Sequence, residues 1–114
     1  MGEAQKPGSD IIPGTLDMVI LKTVSRGAAM HGYAIAQSIR DISEEVLQLQ
    51  EGALYPALHR LELRALLRSS WSVSDNNRRA KYYAITAQGR RALAQEQASW
   101  ARMTAAIARI MQTA

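Results

Sequence analysis

The chain has 114 residues, 47% of them hydrophobic, a formal net charge of +4 and no cysteine. That length supports one compact domain with one core, and the missing thiols exclude disulfides, thiolate metal sites and a cysteine nucleophile. The opening MGEAQKPGSD lacks an apolar region and no run of about 18 apolar residues follows, so the sequence predicts no signal peptide, no membrane span and a cytoplasmic protein.

Residues 1–12 are polar with Gly and Pro and are expected to be a disordered N-terminal segment. Pro13-Gly14-Thr15 then opens a helical pattern in which Leu16, Val19, Ile20 and Val24 follow the 3.6 period, with Arg26-Gly27 as the stop. A second helix is expected from Gly32 to Ile42, with Ile35, Ala36 and Ile39 on its buried stripe and His31 as its cap. Residues 43–51 form an acidic connection.

A third helix is expected from Ala53 to Leu66, because Leu54, Leu58, Leu61 and Ala65 make one apolar stripe. Pro56 then falls at the end of its first turn, where few backbone donors are lost. The opposite face carries Gly52, Ala53, Pro56, His59, Arg60 and Arg64, with Tyr55 on its flank. Small residues backed by arginine let such a helix start come close to another molecule.

A period-2 stretch follows, with Leu67, Trp71 and Val73 at odd positions; SDNN (74–77) is turn chemistry and AKYYAI (80–85) is rich in strand formers. The pair reads as a hairpin with a polar, basic tip and ascending strand: Asn76, Asn77, Arg78, Arg79 and Lys81. From Thr86, a good N-cap residue, a last helix is expected to run to Gln112, roughly 40 Å at 1.5 Å per residue. Leu93, Trp100 and Ile107 recur every seven residues, with Met103 and Ile110 in a second row that Glu96 interrupts. That spacing suits helix–helix pairing.

Charge is uneven along the chain. Residues 1–51 hold four Lys/Arg against seven Asp/Glu, whereas residues 52–91 hold eight (60, 64, 68, 78, 79, 81, 90, 91) against two (62, 75). A field gathered in one block is the footprint of a polyanion binder. Three helices, a basic two-stranded ribbon and a long terminal helix make a mainly α (α+β) winged helix-turn-helix pattern. Residues 13–85 would be the DNA-binding domain and 86–114 a C-terminal dimerisation helix.

The words PGTLDMVILKTV (13–24), HGYAIAQSI (31–39), EGALYPALHRLE (51–62) and RRAKYYAITAQGRRAL (78–93) resemble, in order and spacing, the PadR family of bacterial transcriptional regulators. ISEEVLQLQEGALYPALHRLE and WSVSDNNRRAKYY are similar to a short, acidobacterial-type subgroup of it. One departure is Ala65 in LELRALL, where the family usually has Gly before the wing; it bears on the C-cap of the third helix. The resemblance implies a winged-helix homodimer, usually a repressor, that reads a pseudo-palindromic operator in double-stranded DNA. The third helix would enter the major groove, the wing would follow the backbone or minor groove, and the last helix would supply the dimer interface. Some members release DNA on binding small phenolic or bulky hydrophobic effectors near that interface.

Each candidate residue also has a plainer reading. Tyr55 is either a half-buried aromatic or a phenol reaching a phosphate, and Tyr33 is either core packing or a helix cap, or else a backbone contact. Arg60 reads a base edge or clamps a phosphate, with His59 beside it, and Arg64 reads as a solvated charge. Arg78, Arg79 and Lys81 with Asn77 are a solvated strand edge or a backbone and minor-groove contact. One of Tyr82 and Tyr83 belongs to the core, the two facing opposite sides of the strand. Trp100 is an interface anchor or a stacking surface in an effector pocket, with Leu93, Met103, Ile107 and Ile110 around it. His31 and His59 lack a carboxylate cluster, so no metal or cofactor is expected, and no nucleophile–base pair or phosphate loop supports an enzyme. A winged-helix adaptor for other proteins is the competing reading.

Overall fold

The structure, a computed structural model, describes residues 15–114; the expected disordered segment 1–12 and the Pro13-Gly14 helix opening lie outside the described residues. Helix α1 (Thr15–Ser25) carries Asp17 in its first turn and Lys22 in its last, each matched to its end of the helix dipole. Ile20, Leu21 and Val24 of this helix are buried, and Leu16 and Val19 flank them. A two-residue strand, β1 (Met30–His31), precedes helix α2 (Gly32–Ile42). His31 caps α2 as expected, its Nδ1 accepting the Ala34 N–H at 3.2 Å. Ile35 and Ile39 are buried, and Ala36 packs at the edge of the core.

Helix α3 (Glu51–Leu63) starts ahead of the expected Ala53 and ends before the expected Leu66. Leu54, Leu58 and Leu61 are buried, but Ala65 is exposed and leaves the apolar stripe. The reason is a Schellman stop. Arg64 is the C-cap, the Ala65 N–H donates to the Glu62 carbonyl at 2.9 Å and the Leu66 N–H to the Leu61 carbonyl at 3.0 Å. Ala65 stands at φ 62°, the left-handed position that glycine fills without strain. The earlier start also moves Pro56 into the second turn, where its missing N–H leaves the Gly52 carbonyl without a helical donor.

Strands β2 (Leu67–Val73) and β3 (Arg79–Ile85) pair antiparallel from Leu67↔Ile85 to Val73↔Arg79, and β1 adds to the other side of β3, giving the order β1-β3-β2. Asn77, at φ 60°, shapes the hairpin turn, and its N–H donates to the Ser74 carbonyl at 2.9 Å. The hairpin outruns the core. Leu67, Tyr83 and Ile85 are buried at its base, whereas Trp71 and Val73 are exposed on the same sheet face. Tyr83 is therefore the core tyrosine, and Tyr82 lies edge-on to His31 with ring centroids 5.3 Å apart.

Helix α4 (Ala87–Met111) is capped by Thr86, whose hydroxyl accepts the Gly89 N–H at 2.9 Å and donates to the Ala65 carbonyl at 2.7 Å. The start of α4 thus clasps the α3–β2 junction. A side chain at Gly89 would put its Cβ 2.1 Å from the Leu66 carbonyl oxygen, so the clasp requires glycine. The helix then packs along α1. One expectation fails here. Leu93, placed in the dimer or effector row, is only 7% exposed and belongs to the chain's own core, because α4 is still in contact with the domain at that turn.

Candidate nucleic-acid interface

The α3 face opposite the leucine stripe is open. Gly52, Ala53, Tyr55, Pro56, His59 and Arg60 are all exposed, and nothing lies within 4 Å of the position a Cβ would take at Gly52. Tyr55 leans on the first turn of α2. A Cβ at Gly32 would come within 2.6 Å of the Tyr55 ring, so the missing side chain makes room for the aromatic. Tyr33, on that same turn, is exposed.

The inner face of the wing shares a recess with Tyr55. Lys81 and Trp71 are directly paired across the ladder, and so are Arg79 and Val73. The Arg79 guanidinium lies 4.7 Å from the centre of the Trp71 ring, a cation–π contact on a tryptophan that is 58% exposed. A concavity of about 380 Å³ gathers Tyr33, Tyr55, Trp71, Arg79 and Lys81 into one recess beside α3. Arg78 and Asn77 are exposed at the wing tip.

Two of the candidate cations are held by carboxylates of the same chain. Lys81 Nζ lies 3.1 Å from Glu62 Oε1, while the Ser69 hydroxyl donates to Glu62 Oε2. The Ser69 hydroxyl first, and then the Lys81 ammonium, hold the Glu62 carboxyl below its ordinary value, and Glu62 in turn raises Lys81. Burial pushes the Tyr83 phenol up. Arg60 Nη2 meets Asp17 Oδ1 at 2.6 Å, and Arg64 Nη1 meets Asp17 Oδ2 at 3.5 Å. Arg64 is therefore not simply the solvated charge expected.

Beyond Leu93, α4 turns its apolar residues outward. Trp100, Met103, Ile107 and Ile110 are exposed in the single chain. A groove of about 700 Å³ runs between α1, the end of α2 and this part of α4, lined by Met18, Ile39, Ile42, Leu47 and Trp100 among others. Among the described residues there is no cluster of His, Cys, Asp and Glu fit for a metal ion, and no helix long and apolar enough to cross a membrane.

The family model of the transcriptional regulator PadR-like family matches residues 20–95. The chain belongs to the PadR-like family. A protein of unassigned function from Lysinibacillus sphaericus is 36% identical over 94 residues, covering 82% of this chain and 84% of its own length. A PadR family transcriptional regulator from Eggerthella lenta superposes with a TM-score of 0.76 at 30% identity, over 89% of this chain and 85% of the other. A transcriptional regulator from Clostridium thermocellum gives 0.79 at 31% identity, over 89% and 97%. The three-stranded sheet, the helices before it and the long terminal helix are thus the winged-helix fold of PadR regulators, and this chain is a DNA-binding transcriptional regulator of that family.

The family model ends just past Leu93, whereas the solved structures superpose over 89% of the chain and so extend into the outward-facing part of α4. Sequence reasoning missed three residues that shape this PadR-like surface. Trp71 reads in the sequence only as one member of a period-2 apolar row, and that row continues past the end of the core. Asp17 and Arg60 are 43 positions apart, and no local pattern joins them. Glu62 lies among arginines and leucines as one ordinary helix acid, and only the hairpin register brings Ser69 and Lys81 to it.

Proposed function

We propose that this PadR-like chain acts as a homodimeric repressor that reads a pseudo-palindromic operator. The recess shared by α3 and the wing carries the reading, because Tyr33, Tyr55, Arg79 and Lys81 converge there beside the small-residue start of α3. In this reading Gly52, Ala53 and Pro56 let α3 settle into the major groove, with His59 and Arg60 toward the base edges. Tyr33, Tyr55, Asn77, Arg78, Arg79 and Lys81 hold the backbone on either side. Met103, Ile107 and Ile110 pair with a second copy, which spaces two recognition helices about one helical turn of DNA apart. Trp100 stands where that pairing surface meets the 700 Å³ groove, and a planar hydrophobic or phenolic effector in the groove would bias the angle between the two heads.

Selection of bound fragments from genomic DNA, followed by titration of the winning duplex at several salt concentrations, tests the reading. Arg78→Ala is expected to weaken selected and scrambled duplexes alike and to lower the salt slope by about 1. An unchanged slope removes Arg78 from the interface, and no affinity for any duplex at low salt returns the protein-adaptor reading. The effector is tested separately by quenching of Trp100 fluorescence in a Trp71→Phe background. A phenolic compound that quenches without changing DNA affinity is not an effector.

A further inference from the structure

Asp17 stands out once the two arginines of α3 are considered together. Arg60 and Arg64 are one helical turn apart, and each sends one terminal nitrogen to a different oxygen of the same carboxylate, at 2.6 and 3.5 Å. An oxyanion bridging two guanidinium groups on one helix edge is the arrangement a DNA phosphate would make with them. The carboxylate comes from another element, the first turn of α1, and its side chain is only 19% exposed against 50% for Arg60 and 56% for Arg64. The carboxylate is thus the less exposed partner, and the two guanidinium groups are the ones open to a ligand.

Arg60 shares the exposed stripe of Ala53 and Pro56, the part of α3 that the proposed function aims at the major groove. Without Asp17, two unpaired guanidinium groups would stand on that edge and attract any phosphate backbone. With Asp17 in place, a ligand must offer Arg60 a better partner than the one it already has. Random backbone contact exchanges one oxyanion for another, with little gain. A correctly registered base edge or phosphate adds contacts that a scrambled site does not.

We propose that Asp17 is a specificity-determining residue that acts as an internal phosphate mimic: it keeps Arg60 and Arg64 occupied on non-specific DNA and yields Arg60 only at a matched site. The proposal rests on the DNA-binding reading above. The plainer role of Asp17, a favourable charge at the start of α1 and a tie between α1 and α3, makes a different prediction. Loss of a tie alone weakens both kinds of DNA together.

The test compares wild type and Asp17→Asn on a selected duplex and on a scrambled duplex of equal length across a salt series. Asp17→Asn is expected to bind the scrambled duplex about 2- to 5-fold more tightly at low salt, the range of an exposed ion pair, with a salt slope steeper by about 1. The selected duplex gains less, so the specificity ratio falls, and the gain disappears in Asp17→Asn/Arg60→Ala. Equal or weaker binding of the scrambled duplex, or an equal gain on both, overturns the proposal. No binding of either duplex by the wild type overturns the DNA-binding reading instead. Side-chain NMR of the Arg60 guanidinium in the wild type gives a second measurement that needs no Asp17 variant. Its signal is expected to move with the selected duplex and stay with the scrambled one; movement with both refutes the mimic.

Discussion

The two halves of α4 share one seven-residue apolar row and have opposite surroundings. The first half seats Gly89 on the α3–β2 junction and buries Leu93 in the core, and the second leaves Trp100, Met103, Ile107 and Ile110 in solvent. The same seven-residue row thus runs from a core that the chain completes alone to a surface it leaves uncovered. Exposed apolar rows of this kind mark interaction sites. The contrast separates the stability of the head, which one chain contains, from whatever association the arm provides.

Leu93→Ala and Trp100→Ala test that division most strongly. Leu93→Ala should cost about 2–5 kcal/mol, the range for a leucine lost from a packed core, at any protein concentration. Trp100→Ala should leave the unfolding of the isolated chain nearly unchanged while weakening self-association by about 2 kcal/mol, as for an interface anchor. Urea unfolding at two protein concentrations and sedimentation equilibrium read the two effects. If Leu93→Ala instead acts through association, the boundary between head and arm has been drawn in the wrong place.

Gly89→Ala asks how firmly the first half of α4 is seated. The added Cβ would meet the Leu66 carbonyl oxygen at 2.1 Å, far inside contact distance, so the helix start must shift. The expected cost is about 1–3 kcal/mol, again independent of concentration, and thermal unfolding followed by circular dichroism measures it. A neutral result means that the clasp at Leu66 yields and that α4 is less committed to the head than Leu93 suggests.

The helices were legible because their signals are local. Thr86 announces its cap, Leu54, Leu58 and Leu61 keep one face, and α2 has its predicted bounds. The residues of the candidate surface are local too, and the small residues, His59 and Arg60 of α3 all come out exposed. Distance in sequence set the limit. β1 is two residues long, too short for any periodicity, and the Asp17–Arg60 and Glu62–Lys81 pairs exist only once three elements have packed. Leu93 was misplaced because a heptad row looks alike whether its partner is the same chain or another one. Ala65 was placed on the helix because it continues the apolar stripe of Leu54, Leu58 and Leu61. Its left-handed φ comes from the Schellman hydrogen bonds, which periodicity does not encode.

That position offers a smaller, opposite effect within the head. Ala65→Gly removes the crowding of Cβ at φ 62° but adds freedom to the unfolded chain, leaving a net gain of about 0.5–1 kcal/mol. The gain should appear as a higher denaturation midpoint with an unchanged slope in denaturant. A loss of stability would mean that the Ala65 methyl makes a contact worth more than the strain.

The smallest effect tests the joint between α3 and the wing. Glu62 is held below its ordinary value of 4.5, first by the Ser69 hydroxyl and then by Lys81, with burial pulling the other way. Because the folded-state value is the lower one, the folded protein binds fewer protons than the unfolded chain as pH falls through this range. The contribution is complete above about pH 4.5 and is lost as pH drops through the lowered value. Lys81 behaves in the opposite sense: its stabilising pair is intact below the ordinary value of 10.5 and is lost as pH rises through the raised one. Glu62→Gln should therefore cost about 0.2–1 kcal/mol near neutrality, the range of a partly exposed pair, and flatten the acid limb of the stability curve. Since both partners and Ser69 belong to one chain, that flattening should be the same in dilute and concentrated protein. An acid limb that shifts with concentration would assign the pH dependence to the arm, and the joint would then be held by the β2–β3 ladder and the packing of α3 on β2 rather than by Glu62.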